Sequence, residues 1–501
     1  MVALLPAVML LCVGAPSSAI EKLRLNLPLF DATFTINLQE LRDPDALMAG
    51  NSDLAELDRA TDGAIARRVQ EIFLDPLPLN VRGFGQQAAG SPLLDQALLM
   101  ISAVGEVDGL PDRVNSEEFT QTLERASASG SLTLLDFLEA VPGDTLTIEM
   151  GRFRLLLDRV RRQQHQGLAM VKESTAAEPG SRLREPGPHA VQRVSFRIPA
   201  PHRPTPLEVV GVLPQQQGNR KLVVISHGLW DSPESFEGWA AHLASHGYVV
   251  LLPVHPGSDK SQQRSVLAGE APPPSPDELR LRPLDVSASI DAAGRGHPAL
   301  GAPLPTERVV ALGHSWGATT VLQLLGATPS DQKLLRQCDD PRNRNRNVSW
   351  ILQCSFLQSA DRAGGADPRI KAGVAAVSPP ARLLFDREAG KAIAGPLLMV
   401  SGSRDWVVPS GPEALVPMAR LTQHVGGDHQ LVMADGGDHF NLRSAFEGGG
   451  GILRGLLLSW VEKGFEADAA TTPTGLPPQG WGDERMRLVN VTADLDEVDT
   501  Q

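Results

Sequence analysis

The sequence predicts an α/β fold, a mostly parallel sheet flanked by helices, preceded by a mostly helical N-terminal module. Three observations predict it. From Val191 onward, short apolar runs alternate with stretches of helical spacing. From Leu222 onward those runs are continuous, as in strands covered on both faces. Upstream of His189 the apolar residues recur mainly at helical spacing.

Residues 1–19 hold an apolar stretch, 2–13, then Gly-Ala-Pro-Ser-Ser-Ala, a small-residue run suited to leader cleavage after Ala19. They are read as a signal peptide of a secreted or periplasmic protein, too short for an ordinary membrane span. No Lys or Arg precedes the apolar core. The leader is therefore atypical, as when a true start lies upstream, and a buried N-terminal strand or helix is the competing reading. Cys12 follows Leu11, where lipoprotein processing needs a small residue.

Residues 20–170 form the expected helical accessory module. Within 21–36, Leu23, Leu25 and Leu27 alternate with Arg24 and Asn26, a strand or hairpin signal. Helices are expected at 53–74, 91–104, 115–126, 133–139 and 153–165, several opened by Ser, Asp, Asn or Thr. None carries a catalytic constellation. Residues 171–192 have the Pro, Gly and Ser content of a linker. The catalytic domain is expected at 193–465, with strands at 194–198, 207–213, 222–225, 248–253, 309–312, 370–377, 397–401 and 429–434 and a last helix at 451–462. Residues 466–501, rich in Pro and Gly and then acidic, are expected to be loop or disordered.

A length of 501 residues suits two or three domains. The net charge of −13 argues against a nucleic-acid partner, whose phosphates an acidic surface repels. The basic run at 341–347 is too short to reverse this and reads as a solvated loop. Removal of the leader would leave Cys338 and Cys354. In an exported chain they are expected to pair, closing a loop whose chain entropy stabilises by about 3 kcal/mol; free buried thiols are the alternative. Neither has a metal-ligand spacing, and no metal or cofactor is expected.

The chemistry is carried by Gly313-His314-Ser315-Trp316-Gly317, which follows an apolar strand and opens a small-residue helix. A Gly-x-Ser-x-Gly in that context is a nucleophile elbow: a sharp strand-to-helix turn exposes the serine Oγ, and side chains at the two glycines would collide with neighbouring backbone. The helix N-terminus is aimed where an oxyanion would form. A serine hydroxyl needs a base, and the base needs an acid to hold its tautomer. Asp405 follows the strand at 397–401, and His439 follows the strand at 429–434, giving the order Ser, Asp, His of α/β-hydrolases.

Gly-Gly-Asp-His occurs twice, ending at His429 and at His439. Strand polarity favours His439, at the C-terminal end beside Ser315; His429 and His424 are read as surface residues. Asp435 and Asp438 are read as shaping the turn before His439. The second oxyanion donor is expected from Ser226-His227-Gly228-Leu229-Trp230, with the Leu229 N–H meeting the Trp316 N–H. His227 fits a hydrogen-bonded structural role better than a second base. His227, Gly228, Trp230, His255 and His314 are candidates for lining the substrate pocket, with His255 lining the site or bracing its turn.

These blocks, with Arg282-Pro283-Leu284-Asp285-Val286, Asp367-Pro-Arg-Ile-Lys-Ala, Gly-Ser-Arg-Asp405 and Gly-Gly-Asp-His439-Phe, resemble bacterial α/β-hydrolases similar to platelet-activating-factor acetylhydrolases and dienelactone-hydrolase-like proteins. The resemblance spans roughly 194–463. That group often carries a helical N-terminal extension, which residues 20–170 resemble more weakly. The resemblance implies an α/β-hydrolase fold, Ser315 as nucleophile, Asp405 as acid, His439 as base, Leu229 and Trp316 as oxyanion donors, and hydrolysis of carboxylic esters through an acyl-enzyme. Dienelactone hydrolases proper use cysteine at the elbow, so the serine here departs from that activity.

The expected substrate is a small-molecule or lipid ester, and a peripheral membrane contact is compatible with it. The insertion at 329–367, with the cysteine pair, Trp350 and Phe356, is read as a lid or acyl-pocket wall, or as a stapled surface loop. A non-catalytic binding protein on the same scaffold, and a perhydrolase or acyltransferase using the same triad, are the alternatives. The sequence carries no signal for oligomeric state.

Overall fold

The computed structural model describes residues 19–27, 32–77, 80–108, 115–127, 132–329, 332–383, 392–393, 395–424, 428–466 and 476–499. The expected signal peptide, apart from Ala19, lies outside them. The chain forms two units: Met1–Gly90 with Ala97–Leu156 and Leu267–Ala271, and Ser91–Gln96 with Leu157–Val266 and Pro272–Gln501.

The first unit is rich in helices but also holds a four-stranded sheet. Its strands are β1 (Lys22–Leu27), β2 (Ala32–Asn37), β3 (Gly105–Val107) and β4 (Thr145–Glu149), in the order β2-β1-β4-β3. The alternation in β1 places Leu23 opposite Ile36 of antiparallel β2 and beside Leu146 of parallel β4. Ile20, Leu23, Ile36, Leu54 and Leu135 share its core. The single helix expected at 53–74 is two, Asp53–Ala60 and Ala64–Leu74, because Asp62 and Gly63 both take positive φ (49° and 76°) between them. Thr133 and Asp136 form a reciprocal capping box that starts the helix Leu134–Ala140.

The second unit is built on a nine-stranded sheet. The unit's strands in chain order, β5 and β14 forming a separate pair, are β5 (Glu178–Pro179), β6 (Val191–Ile198), β7 (Leu207–Pro214), β8 (Leu222–Ser226), β9 (Val249–Pro253), β10 (Val310–His314), β11 (Val374–Val377), β12 (Leu397–Gly402), β13 (His429–Ala434), β14 (Gln479–Gly482) and β15 (Leu488–Asn490). The main sheet runs β15-β13-β12-β11-β10-β8-β9-β7-β6. The strands from β13 to β9 are mutually parallel, with antiparallel pairing at both margins.

Successive residues of the central strands enter two different cores. Leu222, Val224 and Ala311 pack with Leu279, Val286, Ile290 and Val321 on one face, from the helices Glu278–Arg295 and Trp316–Leu324. Val223, Ile225, Val310 and Leu312 pack with Trp239, Leu243, Leu457 and Trp460 on the other, from Glu237–Ser245 and Arg454–Glu466. Two-sided burial is why these strands read as continuous apolar runs, each Val, Leu or Ile contributing about 1.5–3 kcal/mol.

Two segments depart from expectation. Residues 171–192 are more than a linker: the helix Met150–Glu173 runs into them, β5 pairs with β14, and the helix Ser181–Arg184 buries Leu183. Nor are residues 476–499 disordered. β15 pairs antiparallel with β13, and Leu488, Val489, Val491, Leu495 and Val498 are buried. Asp483 gathers Arg184, Arg454 and Arg485 around one buried carboxylate. The apolar residues that drive this are interspersed with acids, which masked them in composition.

Cys338 and Cys354 form a disulfide, with Cα atoms 5.7 Å apart. It joins the helices Gln332–Cys338 and Ser349–Phe356. Among the described residues no helix is long and apolar enough to cross a membrane.

Candidate active site

β10 ends at His314, and the helix Trp316–Leu324 starts two residues later. Ser315 makes the reversal between them with φ 54° and ψ −123°, a conformation costly for a side-chain-bearing residue. Its neighbours have no room for side chains. A Cβ on Gly313 would lie 2.2 Å from the Gly317 carbonyl oxygen, and one on Gly317 would lie 1.9 Å from the Ser226 carbonyl oxygen. Both glycines are therefore demanded by close backbone approach.

β12 and β13 run parallel to β10 within the sheet, so the segments after Gly402 and Ala434 emerge at the edge where Ser315 sits. Asp405 is fully buried. Its Oδ1 accepts from the N–H groups of Val407 (2.9 Å) and Val408 (2.7 Å), and its Oδ2 lies 2.9 Å from His439 Nδ1. His439 Nε2 lies 3.0 Å from Ser315 Oγ. A carboxylate only accepts, so Nδ1 carries the proton and Nε2 is free to accept from the serine hydroxyl.

Supporting contacts hold His439 in place. His314 donates from Nε2 to the His439 carbonyl (2.9 Å). Asp438 caps the turn by accepting from the N–H groups of Phe440 and Asn441. His429 opens β13 at the opposite end, as its polarity requires, but it is buried rather than on the surface. The side chain of His424 lies outside the described residues.

The loop after β8 approaches Ser315 closely: a Cβ on Gly228 would lie 3.2 Å from Ser315 Cβ. Among the described residues, neither the Leu229 N–H nor the Trp316 N–H has a hydrogen-bond acceptor. His227 shapes this loop. Its Nε2 accepts from the His255 N–H (3.2 Å), so its proton sits on Nδ1, which donates to the Gly228 carbonyl (2.8 Å). That carbonyl belongs to the same peptide unit as the Leu229 N–H. Burial, followed by the charges of His255 and Arg282, pushes the His227 pKa well below its usual value and keeps the ring neutral.

Three of the five pocket candidates are thereby corrected. His227, His255 and His314 are almost completely enclosed; His227 and His255 spend both ring nitrogens on the protein, and His314 spends Nε2 on the His439 carbonyl. His255 bridges Ser226 Oγ (2.9 Å) and Asp285 Oδ2 (2.8 Å), and burial, then Arg282, lowers its pKa to about 3. His227 and His255 brace the loop and His314 the segment of His439; buried as they are, they do not line a substrate surface. Gly228 supplies the close approach. Trp230, at φ 53°, is partly exposed, with its N–H on the Ser258 carbonyl (2.7 Å) and its indole N–H on Gln262 Oε1 (2.7 Å). In the insertion, Trp350 and Phe356 are core residues, and Phe356 packs on Trp316 with ring centroids 4.2 Å apart.

Sequence reasoning missed the buried charges behind the loop. Glu278, Arg282 and Asp285 share one face of the helix Glu278–Arg295 and are fully or almost fully buried. Arg203 donates to both carboxylates, with Nη2 2.9 Å from Glu278 Oε2 and Nε 2.9 Å from Asp285 Oδ1, and His202 Nε2 lies 2.7 Å from Asp285 Oδ1. Burial raises the Asp285 pKa, but hydrogen bonds from His202, His255 and Arg203 outweigh it and hold the carboxyl far below its usual range. Glu413 was missed too; its carboxylate accepts from Asn347, Ser349, Gln353 and the N–H groups of Ala381 and Arg382. The available signal was charge at i, i+4 and i+7 on a face otherwise made of Leu279, Val286 and Ile290.

Residues 221–336 match the family model described as alpha/beta hydrolase fold. With its largely parallel sheet, flanking helices and serine elbow, the second unit has the α/β-hydrolase fold, preceded by a helix-rich N-terminal region. No curated protein matches the chain.

Proposed function

We propose that this chain is an exported serine hydrolase that cleaves carboxylic esters through an acyl-enzyme. The observation that carries the proposal is the relay Ser315 Oγ, His439 Nε2 (3.0 Å), His439 Nδ1, Asp405 Oδ2 (2.9 Å). His439 takes the hydroxyl proton as Ser315 Oγ attacks the ester carbonyl. The tetrahedral oxyanion forms against the N–H groups of Leu229 and Trp316, which have no acceptor among the described residues; one such donor is worth about 10²–10³ in rate. His439 then delivers the proton to the leaving alcohol, and a water molecule, activated by the same histidine, releases the acid.

Exposed Trp406 and Phe440, adjacent in sequence to Asp405 and His439, favour lipid-like or short acyl esters and a peripheral lipid contact over charged substrates. An activity like that of platelet-activating-factor acetylhydrolase rests on the resemblance alone. Export is supported by the apolar leader and by the Cys338–Cys354 disulfide.

The test is hydrolysis of p-nitrophenyl esters graded by acyl length, with Ser315→Ala alongside. Loss of activity and of fluorophosphonate labelling in the variant is expected. Undiminished hydrolysis by the variant, or an unlabelled native chain, sinks the proposal. A fall beyond acetyl identifies an acetylhydrolase-like enzyme, and a flat or rising profile a lipase. Added alcohol or peroxide tests acyl transfer and perhydrolysis.

A further inference from the structure

We infer that Arg282 is the positioning residue of the oxyanion hole: its guanidinium couples the His227 loop to Trp316 and so sets the spacing of the two N–H donors. The inference rests on the ester-hydrolase reading above.

Arg282 lies inside the helix Glu278–Arg295 and is completely buried. It donates from Nη2 to the His227 carbonyl, and its Cζ lies 4.8 Å over the Trp316 ring. Its Nε and Nη1 have no hydrogen-bond partner among the described residues. The nearby carboxylates of Glu278 and Asp285 are hydrogen-bonded to Arg203 instead. A buried guanidinium left so incompletely satisfied is costly, and an apolar side chain would fill the same volume without that cost.

What the guanidinium does contact is informative. The two proposed donors come from different elements, Leu229 from the loop after β8 and Trp316 from the first residue of the helix after β10. Nothing covalent sets their separation. Arg282 touches the peptide that precedes Gly228 on one side and the side chain of Trp316 on the other. His227, whose carbonyl Arg282 holds, in turn holds the Gly228 carbonyl and thereby orients the Leu229 N–H. The loop is gripped from behind at two successive carbonyls. The positive charge is also held against both segments that carry the proposed donors, and fixed charge of this kind is what electrostatic preorganisation uses.

The experiment compares native chain, Arg282→Met and Arg282→Lys by thermal melting, by kcat and KM on p-nitrophenyl acetate, and by inhibition with an alkyl boronate, which mimics the tetrahedral oxyanion. Arg282→Met is expected to lower kcat by about 10²-fold with KM nearly unchanged, and to weaken the boronate by a similar factor. Arg282→Lys, which keeps the charge but cannot make both contacts, is expected to lose about 10-fold in both. A folded Met variant with native kcat overturns the inference, as does a kcat loss without weaker boronate binding. Should the Met variant not fold, the Lys variant decides: native kcat and native boronate affinity overturn the inference. A native chain that hydrolyses no ester defeats the hydrolase reading itself; an active native chain matched by its Arg282 variants defeats only the role of Arg282.

Discussion

Gly317→Ala tests the elbow without touching a reacting group. The new Cβ would lie 1.9 Å from the Ser226 carbonyl oxygen, 2.5 Å from its carbon and 2.7 Å from the His227 carbonyl oxygen. A carbon–oxygen approach is ordinarily about 3.3 Å, so the two backbones must part by about 1.4 Å. Replacing glycine by alanine in a helix gains up to about 1 kcal/mol of propensity. Overpacking of this kind costs about 1–3 kcal/mol, and the obstacle here is the end of a central strand rather than a flexible side chain, so the clash wins.

The shift falls on the loop that carries Leu229. Displacements near 1 Å cost about 10² in rate, so kcat for p-nitrophenyl acetate is expected to fall at least about 10²-fold, with a stability loss of about 2 kcal/mol. Steady-state kinetics and denaturant midpoints measure both. Native kcat in a folded Gly317→Ala chain would refute the close approach of helix and loop.

Asp405→Asn keeps an oxygen for the Val407 and Val408 N–H groups but no longer fixes the His439 tautomer; kcat is expected to drop by about 10⁴ with the fold intact, and a drop under 10-fold would contradict the relay. Acid destabilises through buried neutral histidines. His255, at about 3 when folded and about 6.5 when unfolded, contributes stability that is complete above pH 6.5 and is lost as pH falls toward 3, about 2 kcal/mol of it by pH 5. His227 and His314, both pushed well down by burial, act in the same direction, so denaturant midpoints that stay level from pH 7 to pH 5 would count against the enclosed network. Cys338→Ser with Cys354→Ser is expected to lower stability by about 3 kcal/mol, read from denaturant midpoints; an unchanged midpoint would show that the disulfide adds nothing.

The parallel strands were legible because both of their faces are buried, which turns them into unbroken runs such as Leu222 to Ile225. Asp405 and His439 were legible because a side chain that follows a parallel strand must emerge at one edge, and polarity alone separates His439 from His429. β15 was hidden, being three residues within an acidic stretch, and its pairing with β13 depends on partners about 60 residues upstream. Arg282 was hidden for another reason. Charged residues in a helix ordinarily face water, and the apolar Leu279, Val286 and Ile290 around Glu278, Arg282 and Asp285 were the one local sign that these turn inward, the carboxylates toward Arg203. β3 and β4 are short, and β4 meets β1, and β3 meets β4, only in three dimensions, so an N-terminal sheet looked like one hairpin among helices.

The last strand also bears on how this chain survives in solution. Without β15, the open side of β13 would present a row of unpaired main-chain groups on Leu431, Met433 and Asp435, an invitation to pair with another copy. A chain trimmed where the sequence looks unstructured would therefore acquire a sticky margin next to the segment that bears His439. β15 acts as a hem, keeping the sheet from being extended by a second molecule.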